Sequence, residues 1–280
     1  MKLLVIGAGN AGLEVATQAR RLGWEVIGTT TSQSRVAEIE QVADKAVVLV
    51  GKDREAVKKA AEGVDAILVS VSPPLSQAVT AEDRAKSYED VLVESCKSAA
   101  AACDRVVFMS STSVYGDGSQ AGDEITEETP RSTSQEPSTV FYSKAEDAVL
   151  ANPGGTVLRL PDIYGHPRDI DFTARVKLAS EHWGGSVPFA REGRLHRVHV
   201  EDVARALIFV LQHDLRGVYH CVPDLVPSPT NGETFDRLAD AAGIPRLEFR
   251  SELRTPTVQV SSKKLRDAGF EFSHPNDEIV

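Results

Sequence analysis

The stretch Leu3-Leu4-Val5-Ile6-Gly7-Ala8-Gly9-Asn10-Ala11-Gly12 decides the fold. Four consecutive apolar residues read as a short strand buried on both faces. The three glycines that follow have the spacing G-x-G-x-x-G. Beyond them, Leu13, Val15, Ala16 and Ala19 recur with helical spacing through Leu22. A strand, a glycine turn and a helix in that order form the phosphate-binding unit of a dinucleotide site. Gly7 permits the tight turn, Gly9 lets the backbone approach a pyrophosphate, and Gly12 lets helix and strand pack closely. The helix N-terminus then turns free N–H donors and a positive dipole end toward the phosphates.

Working outward, strand and helix patterns keep alternating. Strands are expected at Glu25–Ile27, Ala46–Val50, Ala66–Val71, Arg105–Ser110 and Thr156–Leu160. Helices are expected at Asp53–Glu62, Ala81–Ala102, about Ser143–Leu150 and Val203–Gln212. This order implies an α/β fold with a doubly wound parallel sheet. Asp117 to Thr139 is polar and reads as a long surface loop, either a lid over a site or a solvated excursion. Turn signals at Pro223-Asp224, Pro227-Ser228-Pro229 and Asn231-Gly232 break up the C-terminal part. The expected domains are therefore a dinucleotide-binding Rossmann domain, residues 1–165 plus about 196–222, and a small C-terminal substrate lobe, about 166–195 and 223–280.

Composition narrows the classes. The 280 residues carry a formal net charge of -10, which argues against a nucleic-acid partner. No apolar run approaches the ~20 residues of a membrane span. Met1 to Ile6 is faintly signal-like, but the glycines and Glu14 interrupt it, so a cytoplasmic protein is expected. Cys96, Cys103 and Cys221 form no C-x-x-C pair and read as packing residues. His196 and His199 flank Arg197 without a third ligand at suitable spacing, so no metal is expected.

The end of the second strand sets the cofactor. An NAD site commonly places Asp or Glu there to bond the ribose hydroxyls. Here the run is Gly28-Thr29-Thr30-Thr31-Ser32-Gln33-Ser34-Arg35. Hydroxyls and a cation suit a 2′-phosphate, so NADP is expected ahead of NAD. The expected cofactor contacts are Gly7, Gly9, Asn10, Ala11, Gly12, Thr29, Thr30, Thr31, Ser32 and Arg35. Ser70, Val71, Pro161 and Ile163 join them from the ends of two further strands.

Ser110-Ser111-Thr112-Ser113-Val114-Tyr115-Gly116 ends the fifth strand. With the glycine turn, it resembles the extended short-chain dehydrogenase/reductase superfamily, in its nucleotide-sugar epimerase/dehydratase branch. Leu158-Arg159-Leu160-Pro161-Asp162-Ile163-Tyr164-Gly165 and Arg197-Val198-His199-Val200-Glu201-Asp202-Val203-Ala204 add to the resemblance. It implies hydride transfer on a carbonyl or nucleotide-sugar substrate, with a Ser/Thr, a Tyr and a Lys in the site. Ser111 matches the Ser/Thr position. The Tyr-x-x-x-Lys motif departs from the pattern. With Ser143-Lys144 aligned to the family's Ser-Lys, the tyrosine position holds Val140. With Glu146 aligned to the family's downstream glutamate, the lysine position holds Tyr142 and the tyrosine position Ser138. Asp90 stands at the position of the family's active Asn. The resemblance thus implies Ser111, Tyr142 and Lys144 as the catalytic set in a degenerate site, cooperation of the last two requiring that their segment is not helical. It also resembles an atypical subgroup with poorly kept active residues, which leaves a non-catalytic, NADP-binding regulator as the alternative. The partner is a small-molecule substrate, and the chain is expected as a monomer or homodimer. Arg168 could meet an anionic substrate group or form a surface ion pair.

Overall fold

A computed structural model describes residues 1–74, 80–182, 184–253 and 255–274. The last six residues of the expected C-terminal lobe lie outside the described residues. The chain opens with β1 (Lys2–Ile6), α1 (Asn10–Arg21), β2 (Glu25–Thr30), α2 (Val36–Ile39) and β3 (Lys45–Val48). There follow α3 (Arg54–Ala60), β4 (Ala66–Val69), α4 (Ala81–Tyr88), α5 (Glu94–Ala102) and β5 (Val106–Ser111). The middle holds β6 (Glu124–Ile125), α6 (Pro137–Leu150), β7 (Thr156–Leu160), β8 (Asp162–Tyr164), α7 (Phe172–His182) and β9 (Ser186–Phe189). The chain continues with β10 (Arg197–His199), α8 (Val200–Gln212), β11 (Gly217–His220), α9 (Asn231–Ala242), β12 (Glu248–Leu253), β13 (Gln259–Val260) and α10 (Lys263–Asp267).

Seven strands form one sheet in the order β11-β7-β5-β4-β1-β2-β3. Every neighbouring pair is parallel. The order reverses at β1, and the crevice that this reversal opens is where doubly wound sheets hold ligands. The alternation within β1 shows why the sheet is covered twice. Leu3 and Val5 join the core under α1 and α8, while Leu4 and Ile6 join the core under α3, α5 and α6. All four are at most 1% exposed, and burial of each such side chain contributes about 1.5–3 kcal/mol.

Two expected boundaries move. The stretch Ala81–Ala102 is continuous, but a single π turn at Glu89–Val93 separates α4 from α5. Helix α6 begins at Pro137 instead of Ser143, so Ser138 to Tyr142 are helical. Proline at the first turn is pre-organised for a helix and loses no bond there. The hydroxyls that suggested a loop are used otherwise: Thr139 Oγ1 donates to the Ser113 carbonyl at 2.9 Å, and Ser143 Oγ to the Thr139 carbonyl at 2.7 Å. The polar loop before α6 is pinned by β6, which pairs with β13 and buries Ile125 fully.

A separate apolar cluster of Val176, Val187, Phe235, Leu238 and Leu247 binds α7 and α9 to the β9–β12 pair. The chain then returns to the main core, where Leu265 and Phe270 are buried. Among the described residues, no helix is long and apolar enough to cross a membrane.

Candidate active site

The carboxyl ends of β1, β2, β4, β5 and β7 surround a cavity of about 660 Å³. The glycine turn forms its floor. Gly7 sits at φ +90°, and a Cβ there would come within 2.8 Å of Val71 Cγ1. A Cβ on Gly12 would meet the Gly7 carbonyl oxygen at 2.6 Å, so Gly12 serves packing and lies off the cavity wall. Gly9 has nothing within 4 Å of a built Cβ, which is open space beside its backbone. Gly9 also stands at the N-cap of α1 without a side-chain cap, and the first turn carries no acidic residue. The turn therefore fits a pyrophosphate, with unspent N–H donors at a helix N-terminus and room for close approach.

Of the other expected cofactor residues, Asn10, Ala11, Thr29, Thr30, Thr31, Arg35, Ser70, Val71, Pro161 and Ile163 line this cavity. Ser32 does not; its hydroxyl is paired with that of Ser34 at 2.8 Å. Two of the threonine hydroxyls support backbone. Thr29 Oγ1 accepts from the Gly7 N–H at 3.0 Å, and Thr30 Oγ1 accepts from the Ser32 N–H at 3.1 Å. Ser70 Oγ donates to the Gly7 carbonyl at 2.8 Å and braces the turn from β4.

A carboxylate lies close to this end after all. Arg35 Nε bonds Glu38 at 3.0 Å, and Arg168 reaches across to the same carboxylate. The Arg35 hydrogen bond is the largest influence on Glu38, and with Arg168 it holds the carboxyl below its usual pKa. The strand-end run stops at Arg35, and the next helical turn brings Glu38 back beside it. Arg168 is thus in a surface ion pair.

At the opposite end the wall is formed by Met109, Ser110, Ser111, Tyr142, Leu160 and Pro161. Ser111 Oγ accepts from the Ser113 N–H at 3.1 Å and caps the 3-10 turn Thr112–Tyr115. The Tyr142 ring stacks on Phe108 with centroids 6.1 Å apart and meets Tyr88 edge-on at 6.3 Å. Loss of hydration in this aromatic setting pushes its phenol pKa above the usual value. Lys144 is not brought to the cavity. It is half exposed, its Nζ pairs with Glu89 at 3.4 Å, and it lies over the Phe141 ring. Because the segment is helical, Tyr142 and Lys144 project from different faces. Asp90 likewise points to Lys52, at 2.8 Å.

Sequence reasoning missed the buried network behind this wall. Glu146 is fully buried and accepts from Ser110 Oγ at 2.6 Å and from Arg159 Nε and Nη2 at 2.9 and 2.7 Å. Arg159 also bonds the Tyr115 hydroxyl, which contacts His220 Nε2 at 2.7 Å. Burial, the largest cause, lowers the His220 pKa to about 3, so the imidazole is neutral. Glu146 thus holds the buried place on α6, with Tyr142 one turn earlier on the cavity wall. A glutamate flanked by alanine and aspartate in a helix gave no sign that it was the buried one.

His199 and Asp202 both stand at the start of α8. His199 Nδ1 accepts from the Glu201 N–H at 3.3 Å at the start of α8. Asp202 is fully buried and accepts from the backbone of Ser273 and His274 at 2.9 and 2.8 Å. His199, Glu201 and His274 place three ligand-type atoms within 4.8 Å, but the two imidazoles stack at 3.8 Å with 19° between planes. Stacked rings do not aim lone pairs at a shared ion.

Fold and glycine cradle together define a nicotinamide-dinucleotide-binding protein with a ligand crevice at the switch point of its sheet. The chain belongs to the NAD dependent epimerase/dehydratase family, whose model matches residues 3–221. It is 26% identical over 293 aligned residues to protein YeeZ of Escherichia coli, covering 100% of this chain and 98% of that one. Over 88 residues it is 32% identical to vestitone reductase of Medicago sativa, 31% of this chain and 27% of the reductase. Its fold is similar to that of UDP-glucose 4-epimerase from Bifidobacterium longum, solved with NAD+ and UDP, at a TM-score of 0.75 and 19% identity, covering 100% and 96% of the two chains. It is also similar to dTDP-glucose 4,6-dehydratase from Bacillus anthracis, solved with NAD, at a TM-score of 0.76 and 19% identity, covering 100% and 94%. At these identities the two structures speak for the fold alone.

Proposed function

We propose that the protein is an NADP-dependent oxidoreductase or epimerase/dehydratase acting on a carbonyl or nucleotide-sugar-type substrate. The observation that carries this reading is one cavity with a glycine cradle at Gly7–Ala11 and the residues Ser111 and Tyr142 on its other wall. When bound, the dinucleotide supplies or accepts hydride. The protein's part is to hold the reacting carbon near it and to manage a proton at the substrate oxygen. In this reading Ser111 orients that oxygen. Tyr142, protonated at neutral pH, hands a proton to it.

The preference for NADP rests on Thr31 and Arg35 at the ribose end of the cavity, with Glu38 as the opposing charge. Titration calorimetry with NADPH and NADH tests it: NADPH should bind about tenfold more tightly, a difference of about 1.4 kcal/mol. Equal affinities would remove the preference. A panel of aldehydes, ketones and sugar nucleotides, followed by NADPH oxidation, tests the activity. The outward ion pair of Lys144 favours a second reading, a dinucleotide-responsive regulator. That reading requires micromolar NADPH binding and no turnover across the whole panel.

A further inference from the structure

A second cavity, of about 440 Å³, opens in the C-terminal part and shares Pro161 with the first. Its lining also includes Thr112, the residue after Ser111. A molecule seated here therefore meets the dinucleotide cavity at the end where Ser111 and Tyr142 stand. Its size falls in the ~300–1,000 Å³ range of small-molecule sites. Phe172, Leu178, Val187, Phe189 and Phe235 give it an apolar wall, and Phe172 and Phe235 meet edge to face at 5.1 Å.

The polar residues on this wall are largely committed elsewhere. Arg194 donates to the backbone carbonyls of Thr257 at 3.1 Å and Ser228 at 2.7 Å. Asp162 accepts from Arg197 at 3.1 Å. His196 Nε2 accepts from the Val260 N–H at 3.1 Å, and Asn231 donates to the Ala190 carbonyl at 2.9 Å. Some groups keep unspent capacity. Among the described residues, Thr255 Oγ1 is buried without a hydrogen-bond partner, and Arg175 makes a long 3.9 Å ion pair with Asp162. One loosely held guanidinium does not compensate the burial of a diphosphate, because each unpaired charge taken from water costs several kcal/mol. An aromatic-lined cavity whose polar groups are largely committed suits a flat hydrocarbon body.

We propose that this cavity takes a flat, mainly apolar ketone of bicyclic aromatic size and rejects nucleotide diphosphates. The inference rests on the oxidoreductase reading above for its turnover, and on the cavity alone for its binding. The carbonyl lies at the Pro161 edge, toward Ser111. The hydrocarbon body lies among Phe172, Phe189 and Phe235. In the reaction the carbonyl carbon gains hydride and its oxygen gains a proton, giving a secondary alcohol while NADPH becomes NADP.

The probe is 2-acetylnaphthalene, with binding to the full chain followed by its fluorescence in the presence of NADPH. Binding should be micromolar, and UDP-glucose at millimolar concentration should leave it in place. Leu178→Arg puts a charge into the wall and should weaken the probe by about tenfold or more, with NADPH affinity unchanged. Thr255→Val, which removes the orphan hydroxyl without changing shape, should tighten the purely apolar end and strengthen the probe by about threefold. Absence of probe binding, or its displacement by UDP-glucose, overturns the proposal. Binding that Leu178→Arg and Thr255→Val both leave unaltered overturns it too. Probe binding that responds to both variants, without NADPH oxidation, retains the ligand class and overturns the oxidoreductase reading instead.

Discussion

The glycine turn Gly7–Gly12 and the helical segment Ser138–Lys144 belong to opposite ends of one cavity, yet they relate to their sequence in opposite ways. In the turn, the proposed binding falls to backbone, so each glycine has a local reason that spacing alone reveals. In α6, the proposed chemistry falls to side chains, and their use depends on the face of the helix they occupy. The turn keeps its whole pattern. The helix keeps a tyrosine and a lysine but sends them to different sides, with Tyr142 on the cavity and Lys144 on Glu89.

The comparison can be broken most severely from below the helix. Glu146→Ala leaves Arg159 buried without its carboxylate and should cost about 3–5 kcal/mol, read as a lowered urea midpoint. If stability is unchanged, Glu146 does not anchor α6. At the turn, Gly12→Val drives a side chain into the Gly7 carbonyl and should weaken NADPH about 100-fold, about 2.7 kcal/mol, by calorimetry. Retained affinity would mean the helix does not need that close approach. Tyr142→Phe should lower kcat for a reduced substrate by about 100-fold, the low end for a lost general acid, with NADPH binding preserved. Survival of turnover would remove Tyr142 as proton donor.

The buried network also sets a pH dependence. His220 falls from 6.5 to about 3 and His196 from 6.5 to about 4, both chiefly by burial. Below pH 6.5 the unfolded chain binds protons that the folded chain refuses, so stability declines as pH falls. Each group contributes a slope of about 1.4 kcal/mol per pH unit, continuing to its folded pKa. Urea unfolding between pH 7 and 5 should show it, and His220→Gln should flatten the curve. The smallest effect belongs to Lys144→Ala, which should leave kcat and NADPH affinity within about twofold, as exposed ion pairs contribute little. A tenfold loss in either would bring Lys144 back to the site in the working enzyme.

Much of the fold was legible because its signals are local. Leu3 to Ile6 can be read as a doubly covered strand from four letters, and the glycines name their own turn. The start of α6 was hidden because Ser138 and Thr139 carry the marks of a loop until one sees the Thr139 and Ser143 hydroxyls bonded to backbone. The pairing of Arg35 with Glu38 was hidden by the turn of chain that follows the strand, although both residues were in plain view.

By itself, then, the sequence determined the parallel sheet, the phosphate cradle and the position of Ser111, because backbone geometry and hydrophobic period act over a few residues. The tertiary structure decided that Tyr142 and not Lys144 faces the cavity, that Glu146 is buried, and that an aromatic chamber adjoins the dinucleotide site. Those three depend on which side chains distant segments bring together: α6 against β5 and β7, and Phe172 against Phe235. Contacts of that kind carry no period and no fixed spacing, so only packing reveals them.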